Sequence, residues 1–598
     1  MKRLREFIRR FARRDNWFGF LCSVIVYFFR KSPKAAGKLI AERYCRNREQ
    51  RIAFRIIQLP AEELRLQREA SATGSVLFSV ITPLYNTPIP FLREMIESVL
   101  SQTCPHWELC LADGSDETHH EVETICREYA DRDSRIKYGK LLQNEGISAN
   151  TNACLQMSSG SYMVLLDHDD LLLPNALYEC TQAIRQTDAD FIYSDEYVFV
   201  SPSVKNILNT HFKPDFSPES LLTNNYICHL SVFRRTLLDK AGWFRREYDG
   251  SQDHDLVLRL TDCAETITHI PKPLYLWRSH SSSVASDISV KSYAIDAGRG
   301  AVRTFLETKG IHVEVESVAS CPTMYHVVYP IRDNPSVCII LDLVNSGITA
   351  ESVQEQIRNL KAFSGYENIQ FAIIVSQDAA SRQSTHDVQW FSSSETNRPK
   401  RLNGIIKTVD SDYLVIMDPG LKCKQTGWVK EMLMLAQQSG VGAVGARILF
   451  DNHRIRHAGL ALGSGKQHVA GRLFFRTPED ESSSFGNLII VQNVSAVSAE
   501  CLMVSRKKYD LAGGFSESYQ SCLFDVDFCL KLSELQYRNL YCPYGEFIGG
   551  KSRRFSADYG KEQKEYPKDS EILRNHWAKK LNSPDPFFSY NRQRFRRL

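Results

Sequence analysis

The sequence predicts an α/β protein in which two tandem domains, each built on a mostly parallel sheet, follow a basic helical N-terminal arm. From about residue 76 onward, apolar runs alternate with amphipathic stretches, which indicates strands separated by helices. The same series of runs returns after the Asp333-Asn334-Pro335 turn, which indicates a repeat. With 43% hydrophobic and 24% charged residues, the 598-residue chain has a globular composition, which argues against disorder and against a multi-span membrane protein.

The predicted arm, residues 1–70, is basic and partly apolar. Residues 1–55 contain 16 Lys/Arg and 4 Asp/Glu, although the whole chain carries only +4, so the remainder is acidic. The apolar run from Trp17 to Phe29 is too short to cross a bilayer, which needs about 20 apolar residues. Two alternatives stay open for residues 1–38: contact with an anionic membrane surface, or a helix packed on the protein with solvated basic flanks.

Sixteen cysteines are scattered along the chain without a CxxC pair or a zinc-type Cys/His spacing. Together with the lack of a cleavable signal peptide, this pattern predicts reduced, mostly buried thiols in a cytoplasmic protein. The arm adds peripheral attachment to the inner face of the cytoplasmic membrane as a second expectation. No nucleic-acid partner is expected, because no recognition motif follows the basic arm.

The first domain is predicted to span residues 71–330. Strands are expected from Val76 to Leu84, from Glu108 to Ala112 and from Tyr162 to Leu166, with a helix from Phe91 to Ser101. Strands interleaved with helices form a mostly parallel sheet covered on both faces. Ligands bind beyond the carboxyl ends of such strands, so the residues just after each apolar run are the candidates for a site.

The second domain is predicted to span residues 331–555, followed by an extension of residues 556–598. Four segments repeat the first domain in the same order: SVCIIL from Ser336, YLVIMD from Tyr413, AGGF from Ala512 and DFCLKL from Asp527. Similarity between apolar strands could explain one match by chance. The ordered series instead predicts two copies of one fold.

The segment Asp167-His168-Asp169-Asp170 is the leading candidate for a metal site. Asp-x-Asp patterns are frequent in this chain, but here three carboxylates directly follow a predicted buried strand. Crowded carboxylates repel one another and need a cation, and oxygen ligands suit Mg²⁺ or Mn²⁺. The alternative is that Asp170 caps the next helix.

Three further positions at the same edge carry candidate chemistry. Asp113 lies in a Gly/Ser turn that would leave its carboxylate free to accept hydrogen bonds from a base or ribose. Asp253 precedes a helical stretch and could act as a general base, although an Asp here could also be an N-cap, Asp255 more than Asp253. His280 follows a predicted strand. A lone histidine at such a position more often has a structural role than a catalytic or binding role.

Several motifs jointly resemble the family 2 glycosyltransferases, in particular tandem bacterial enzymes that build O-antigen and related surface polysaccharides, some of them rhamnosyltransferases. Within residues 78–285, in family order, these motifs include VITPLYN, LADGSDE, VLLDHDDLLLPNALYE, GSQDHDLVLRL and HIPKPLYLWRSHSSSVA. The resemblance implies a GT-A fold, a nucleotide-diphosphate sugar donor, Mn²⁺ or Mg²⁺, and inversion at the anomeric carbon. It also implies a glycan or lipid-linked oligosaccharide as acceptor.

The resemblance assigns the donor and metal side of this site. Asp113 would contact the donor's base or ribose, with Tyr85 and Asn86 beside it. Asp167 and Asp169 would form the DxD pair, with Asp169 as the more direct metal ligand and Asp167 nearer the ribose and a metal-bound water.

The remaining family positions lie on the reaction and acceptor side. Asp253 matches the carboxylate of the family's (E/Q)D motif and would be the catalytic base. His280 matches a C-terminal histidine that often faces the metal or diphosphate. Asp195 and Glu196 would border the acceptor side.

The second copy lacks most of these groups. Asp418-Pro419-Gly420 stands where the first copy has its DxD pair, and the segment from Ile548 to Lys551 has no histidine. A catalytically degenerate domain with a scaffold or acceptor-chain-binding role is therefore expected. The rival hypothesis for the whole protein is a non-catalytic carbohydrate-binding or assembly protein; an oxidoreductase is disfavoured by the lack of a GxGxxG loop.

Overall fold

The computed structural model describes residues 59–72, 74, 76–280, 292–376, 384–465, 467–479, 487–549 and 563–588. The predicted membrane-surface segment, residues 1–38, lies outside the described residues, as does the chain end after residue 588. None of the helices in the described ranges combines the length and apolar character that a membrane crossing requires. All cysteines in these ranges are free thiols, and most of them are buried.

The first domain contains a sheet whose strands, in spatial order, run β3-β2-β1-β4-β8-β6-β9-β5, with β7 paired to β6. β1 pairs in parallel with β2 and β4, and β6 pairs in parallel with β9, whereas β8 is antiparallel to its neighbours β4 and β6. The strands are β1 Phe78–Leu84, β2 Trp107–Asp113, β3 Ile136–Lys140, β4 Tyr162–Leu165, β5 Leu171–Leu172, β6 Phe191–Val200, β7 Ile207–His211, β8 Ser231–Arg234 and β9 Ile267–Ser279.

Helices cover this sheet because their apolar faces have the helical period. In α2, for example, Leu92, Met95, Ile96 and Val99 are buried against the sheet. The helices are α1 Ala61–Ser71, α2 Ile89–Leu100, α3 Glu121–Arg132, α4 Ile147–Met157, α5 Ala176–Thr187, α6 Pro218–Thr223, α7 Thr236–Ala241, α8 Gln252–Cys263 and α9 Ser292–Glu307. A hairpin of β10 (Glu314–Val318) and β11 (Cys321–Val328) then leads to the second domain.

The second sheet repeats the first strand for strand. Its order is β14-β13-β12-β15-β22-β17-β23-β16, with β18 and β21 paired to β17 and β23. Its strands are β12 Val337–Asp342, β13 Ile369–Val375, β14 Val388–Ser392, β15 Tyr413–Met417, β16 Leu421–Cys423, β17 Val441–Leu449, β18 Ile455–His457, β21 Gln492–Val494, β22 Cys501–Ser505 and β23 Arg538–Gly549; a separate hairpin joins β19 Leu460–Leu462 to β20 Ala470–Arg472.

The strand directions agree as well as the order. β12 is parallel to β13 and β15, β22 is antiparallel to β15 and β17, and β17 is parallel to β23. The helices of this half are α10 Ala350–Ser364, α11 Arg398–Ile406, α12 Trp428–Ala436, α13 Arg506–Leu511, α14 Phe524–Glu534, α15 Pro567–His576 and α16 Ala578–Asn582. The prediction of two tandem GT-A domains is therefore confirmed.

Candidate functional site

The carboxyl ends of β1 and β2 form one side of the candidate site. Tyr85 directly follows β1, and 47% of its surface is exposed. Asn86, which has a positive φ of 49°, donates from its backbone N–H to Ser115 Oγ at 2.8 Å. Its side chain also exchanges hydrogen bonds with Asp116 at 2.8 and 3.1 Å. These contacts hold the two loops together beside the exposed Tyr85 ring.

Asp113, the last residue of β2, is completely buried. Its Oδ1 accepts a hydrogen bond from the Ser115 backbone at 2.8 Å, and its Oδ2 accepts from Tyr138 at 2.9 Å and from Lys140 at 3.0 Å. The expectation of a carboxylate left free by the turn is thus wrong in this structure, because neighbouring donors on β3 and the turn already engage both oxygens. A contact with the donor's base or ribose stays a prediction.

Two acidic side chains follow β4 and are reachable by solvent. Asp167 is 48% exposed and its Oδ2 lies 3.4 Å from His229 Nε2. Asp169 is 22% exposed and its Oδ2 lies 2.9 Å from His280 Nε2. Desolvation by the surrounding protein raises the pKa of Asp167 above its ordinary value. The charges of Asp169 and Asp253 act in the same direction, and those of His229 and His168 act against it.

Asp170 has a different environment, since it is buried. Its Oδ2 accepts a hydrogen bond from the Tyr275 hydroxyl at 2.6 Å, and its Oδ1 accepts one from the Arg278 backbone N–H at 2.6 Å. The alternative that Asp170 caps the next helix is not observed, because α5 begins later, at Ala176. Burial and the charges of Asp169 and Asp167 raise the pKa of Asp170 well above its ordinary value.

His229 joins this cluster although the sequence did not single it out. Its ring stacks on Tyr275 with 4.6 Å between ring centroids, which directs Nε2 toward Asp167. The residue precedes β8, which lies beside β4 in the sheet but about 70 positions later in the chain. Only the pairing of β8 with β4 shows that His229 lies near Asp167. In the sequence, His229 is a single histidine between apolar residues, which gives no sign of this contact.

Asp253 lies in the first turn of α8 and faces the same region. Its Oδ2 accepts a hydrogen bond from Asn225 Nδ2 at 2.9 Å and lies 3.6 Å from Cys228 Sγ. Within the described part of the chain, its Oδ1 has no hydrogen-bond partner. The negative charge of Asp253 contributes to the raised pKa of Asp167, so the two carboxylates share one electrostatic environment.

The N-cap alternative for this helix is not observed either. The N-cap position is Ser251, and no side chain caps the helix there. Asp255 is buried and forms ion pairs with Arg245 and with Arg259, the latter at 2.5 Å. Asp255 is thus a structural anion, whereas Asp253 keeps one oxygen available.

Asp195 and Glu196 of β6 were expected to border the acceptor, but both side chains are completely buried. Glu196 lies 2.6 Å from His211 Nδ1 and 3.1 Å from Lys213 Nζ. Burial opposes ionisation, yet Lys213 and His211 lower the pKa of Glu196 to about 2. Asp195 Oδ1 accepts from the Lys213 backbone at 2.9 Å and lies 3.0 Å from His269 Nε2. These side chains face inward because cationic partners hold them there, and a role near the acceptor stays a prediction.

The donor atoms near β4 suit a divalent cation. Ligand atoms of Asp167, Asp170 and His229 all lie within 4.8 Å of one another. Carboxylate oxygens suit Mg²⁺ and Mn²⁺, and an imidazole nitrogen beside them suits a transition-metal ion such as Mn²⁺ better than Mg²⁺. Burial, together with the charges of neighbouring carboxylates, raises the pKa values of Asp167 and Asp170, and a bound cation would favour their ionised forms. This set overlaps with the predicted ligands Asp167, Asp169 and His280 at Asp167 alone.

Strand pairing identifies the equivalent positions in the second domain. Tyr162 pairs with Arg234 as Tyr413 pairs with Ser505, so Asp418 corresponds to Asp167 and Glu500 to His229. Glu500 is buried and forms ion pairs with Arg456, at 2.9 Å, and with Arg472. Although burial opposes it, these arginines lower the pKa of Glu500.

In the second domain, the residue equivalent to the candidate base is also shielded from solvent. Asp525, which corresponds to Asp253, is buried and accepts a hydrogen bond from the Ala499 backbone at 2.8 Å. Burial raises the pKa of Asp525. Leu421 stands at the position of Asp170, and Phe547 at the position of Tyr275.

Comparison with known proteins finds similarity to one family. Residues 79–242 match the model of glycosyl transferase family 2. The uncharacterized protein y4gI of Sinorhizobium fredii is 32% identical over 535 residues, which cover 86% of this chain and 57% of that protein. The O-antigen biosynthesis protein RfbC of Myxococcus xanthus is 32% identical over 495 residues, which cover 81% of this chain and 38% of that protein.

The chain thus spans only part of the length of both relatives. Among solved structures, S. aureus TarS 1-349 in complex with UDP-GlcNAc aligns with 22% identity and a TM-score of 0.33, over 38% of this chain and 66% of that chain. The similarity to this family rests on the match of residues 79–242, which therefore resemble glycosyl transferase family 2.

Proposed function

We propose that the first domain transfers a sugar from a nucleoside-diphosphate sugar to a hydroxyl group of a glycan, with inversion at the anomeric carbon. The observation that carries this proposal is the set of contacts that links Asp253 to Asp167. Asp253 Oδ2 lies 3.6 Å from Cys228 Sγ, and the next residue, His229, lies 3.4 Å from Asp167 Oδ2. Such a site combines a base with a place for the negative charge of a diphosphate.

Asp253 is the proposed catalytic base. Asn225 holds its Oδ2 at 2.9 Å, which leaves Oδ1 to face the acceptor hydroxyl. As that hydroxyl oxygen bonds to the anomeric carbon, its proton passes to Oδ1 and the bond from the anomeric carbon to the diphosphate oxygen breaks. General-base catalysis of this kind typically contributes 10²- to 10⁴-fold.

Asp167 and Asp169, with His280 beside Asp169, are the proposed holders of Mn²⁺ or Mg²⁺, and Asp170 and His229 lie close enough to take part. When bound, such a cation acts as a Lewis acid and stabilises charge on the diphosphate. The protein's own contribution is orientation: His280 and His229 fix the carboxylates of Asp169 and Asp167.

Recognition of the donor's nucleoside is assigned to the other side of the sheet edge. The exposed Tyr85 ring offers a stacking surface for a base, and Asn86 and the buried Asp113 shape the loop beneath it. Asp113 acts in this proposal by fixing the Ser115 turn.

The acceptor is proposed to be a growing surface polysaccharide, in chemical terms a lipid-linked oligosaccharide. The similarity to RfbC, an O-antigen biosynthesis protein, supports this class. The second domain is proposed to be catalytically degenerate, with a scaffold or acceptor-chain-binding role, because Glu500 and two arginines fill the equivalent of the metal site. Residues 1–38 would attach the protein to the membrane surface at the cytoplasmic face.

The test is incubation of the full chain with a panel of nucleotide sugars and Mn²⁺, followed by measurement of nucleotide release. We expect release with a subset of donors. In Asp169→Ala, Mn²⁺ affinity should fall by at least about 10-fold, since even outer-shell changes at metal sites cost 10- to 100-fold. The matched control is Asp131→Ala, which removes a surface carboxylate from another Asp-x-Asp pattern on α3. Full activity and Mn²⁺ affinity in Asp169→Ala would refute the metal assignment.

A further inference from the structure

The short helix α6 of the first domain is held by the sheet of the second. Arg538, the first residue of β23, forms a two-pronged ion pair with Glu219, with Nε–Oε2 at 2.9 Å and one terminal nitrogen at 2.6 Å from Oε1. Asn493 of β21 donates to Glu219 Oε2 at 2.7 Å. Its Oδ1 accepts hydrogen bonds from the backbone N–H and the hydroxyl of Ser220, each at 3.1 Å.

The same helix leads directly to Asp253. The carbonyl of Leu221 accepts a hydrogen bond from His254 Nε2 at 2.7 Å. Asn225, two residues beyond the end of α6, donates to Asp253 Oδ2 at 2.9 Å. The chain segment that the second domain holds therefore contacts both Asp253 and its neighbour His254.

The two anchoring residues stand on a rigid support. Asn493 is buried, and β21 pairs with β23 in register Asn493 to Leu540, so Asn493 and Arg538 belong to one sheet. Burial lowers the pKa of His254, so the imidazole is neutral at pH 7 and keeps its single Nε2–H for the Leu221 carbonyl. Each link in the path is thus a defined hydrogen bond.

We propose that Asn493 and Arg538 of the second domain position Asp253 through α6. This inference rests on the proposed role of Asp253 as the base. It makes Asn493 and Arg538 positioning residues, and it gives a domain without its own metal site a part in the reaction. A displacement of about 1 Å at a reacting group can cost about 100-fold in rate, so a remote anchor of this kind matters.

The main test is Asn493→Ala in the full chain. We expect kcat for sugar transfer to fall about 10- to 100-fold while KM for the donor changes less than twofold, because donor contacts lie at the other side of the site. Hydrogen exchange, measured by mass spectrometry, should become faster in peptides covering residues 217–228 and 252–256. Arg538→Gln, at a more exposed position, should give a smaller loss in the same direction and guards against a folding defect in Asn493→Ala.

Glu431→Gln is the matched control. It takes the charge from a different contact between the domains, between His326 of β11 and Glu431 of α12 at 2.9 Å, and it leaves the hydrogen bonds from α6 to Asn493 and Arg538 in place. Its exchange at residues 217–228 and its kcat should equal those of the wild type. An effect in Glu431→Gln as large as that in Asn493→Ala would overturn the proposal, because general loosening of the interface would then explain both.

The outcomes also separate this inference from the proposed function. Unchanged exchange at residues 217–228 and 252–256 in both variants overturns the positioning path whatever the enzyme does. Faster exchange with unchanged kcat overturns it as well. A wild-type protein that transfers no sugar from any donor contradicts the proposed function, while exchange still decides whether the second domain holds Asp253.

Discussion

The two sheets of this protein share one strand order but differ at the edge where ligands bind. In the first domain, the carboxylates of Asp167 and Asp169 are partly exposed, and each lies close to a histidine ring nitrogen. Within the described ranges, no arginine or lysine side chain forms an ion pair with either of them. In the second domain, Glu500 is buried between Arg456 and Arg472.

This difference shows two ways to balance negative charge at the same place in a fold. Buried or crowded carboxylates need a positive partner. The first domain leaves that charge to come from outside, which suits a site that binds and releases a metal–diphosphate complex. The second domain supplies it permanently from two guanidinium groups, which stabilises the fold and removes the need for a ligand.

The most direct way to break this comparison is to neutralise the equivalent carboxylates, Asp253 and Asp525. Asp253→Asn should lower the rate of sugar transfer by 10²- to 10⁴-fold, because an amide cannot take the acceptor's proton. Asp525→Asn should change the rate less than twofold, since the Asp525 carboxylate is enclosed and binds the Ala499 backbone. Nucleotide release in the presence of acceptor measures both rates.

Equal losses in the two variants would mean that both domains take part in the chemistry. The thermal unfolding of each variant should be recorded alongside, so that a rate loss from unfolding is not mistaken for loss of a base.

The arginine pair offers a second test, on stability. Arg472→Met should lower the free energy of unfolding of the second domain by about 3 kcal/mol, because the buried Glu500 carboxylate loses one of its two guanidinium partners. Calorimetric unfolding of the full chain measures this loss. The double variant Arg472→Met/Glu500→Gln should be less stable still, since it also takes the Glu500 charge away from the buried Arg456 guanidinium.

Mn²⁺ should not restore the Arg472→Met variant. Leu421 replaces Asp170 in this domain, so too few oxygen ligands remain. Stabilisation of the second domain by Mn²⁺ would contradict the view that its site has no place for a metal.

The repeated fold could be predicted from the sequence because buried parallel strands read as apolar runs. The run YMVLL before Asp167 and the run YLVIM before Asp418 marked equivalent strands, and the structure pairs both as expected. Glu196 shows the limit of this reasoning. The family resemblance placed it on the acceptor side, but only the fold brings Lys213 and His211 close enough to stabilise it in the interior.

The site was predictable where its residues follow a strand and hidden where they depend on pairing. Asp169 and His280 are 111 positions apart, and their contact at 2.9 Å was expected only through the family motif. His229 and Glu500 gave no such signal, since an isolated polar residue before a strand has no preferred role. Their positions become clear only from strand pairing. The antiparallel pairing of β8 with β4 places His229 beside Asp167, and that of β22 with β15 places Glu500 beside Asp418.

The smallest expected effect concerns His457, which is buried beside the arginine pair. Burial lowers the pKa of His457 to about 3. The charge of Glu500 opposes this shift, and the charges of Arg472 and Arg456 add to it. Ser498 donates its backbone N–H to His457 Nε2 at 3.3 Å, which requires that nitrogen to be unprotonated. In the unfolded chain, His457 has an ordinary pKa near 6.5 and binds a proton below that pH. In the folded chain it does not bind this proton until the pH is much lower.

The contribution of His457 to stability is thus complete above about pH 6.5 and is lost as the pH falls toward 3. Between pH 7 and pH 6 the loss should be about 0.7 kcal/mol. Calorimetry of the full chain at both values, following the transition that Arg472→Met shifts, should show a smaller pH dependence in His457→Gln by this amount. Equal pH dependence in the two proteins would mean that His457 is already protonated in the folded state. The surroundings of His457 would then be neither as well shielded from water nor as positive as the structure indicates, and the contrast between the domains would lose part of its electrostatic basis.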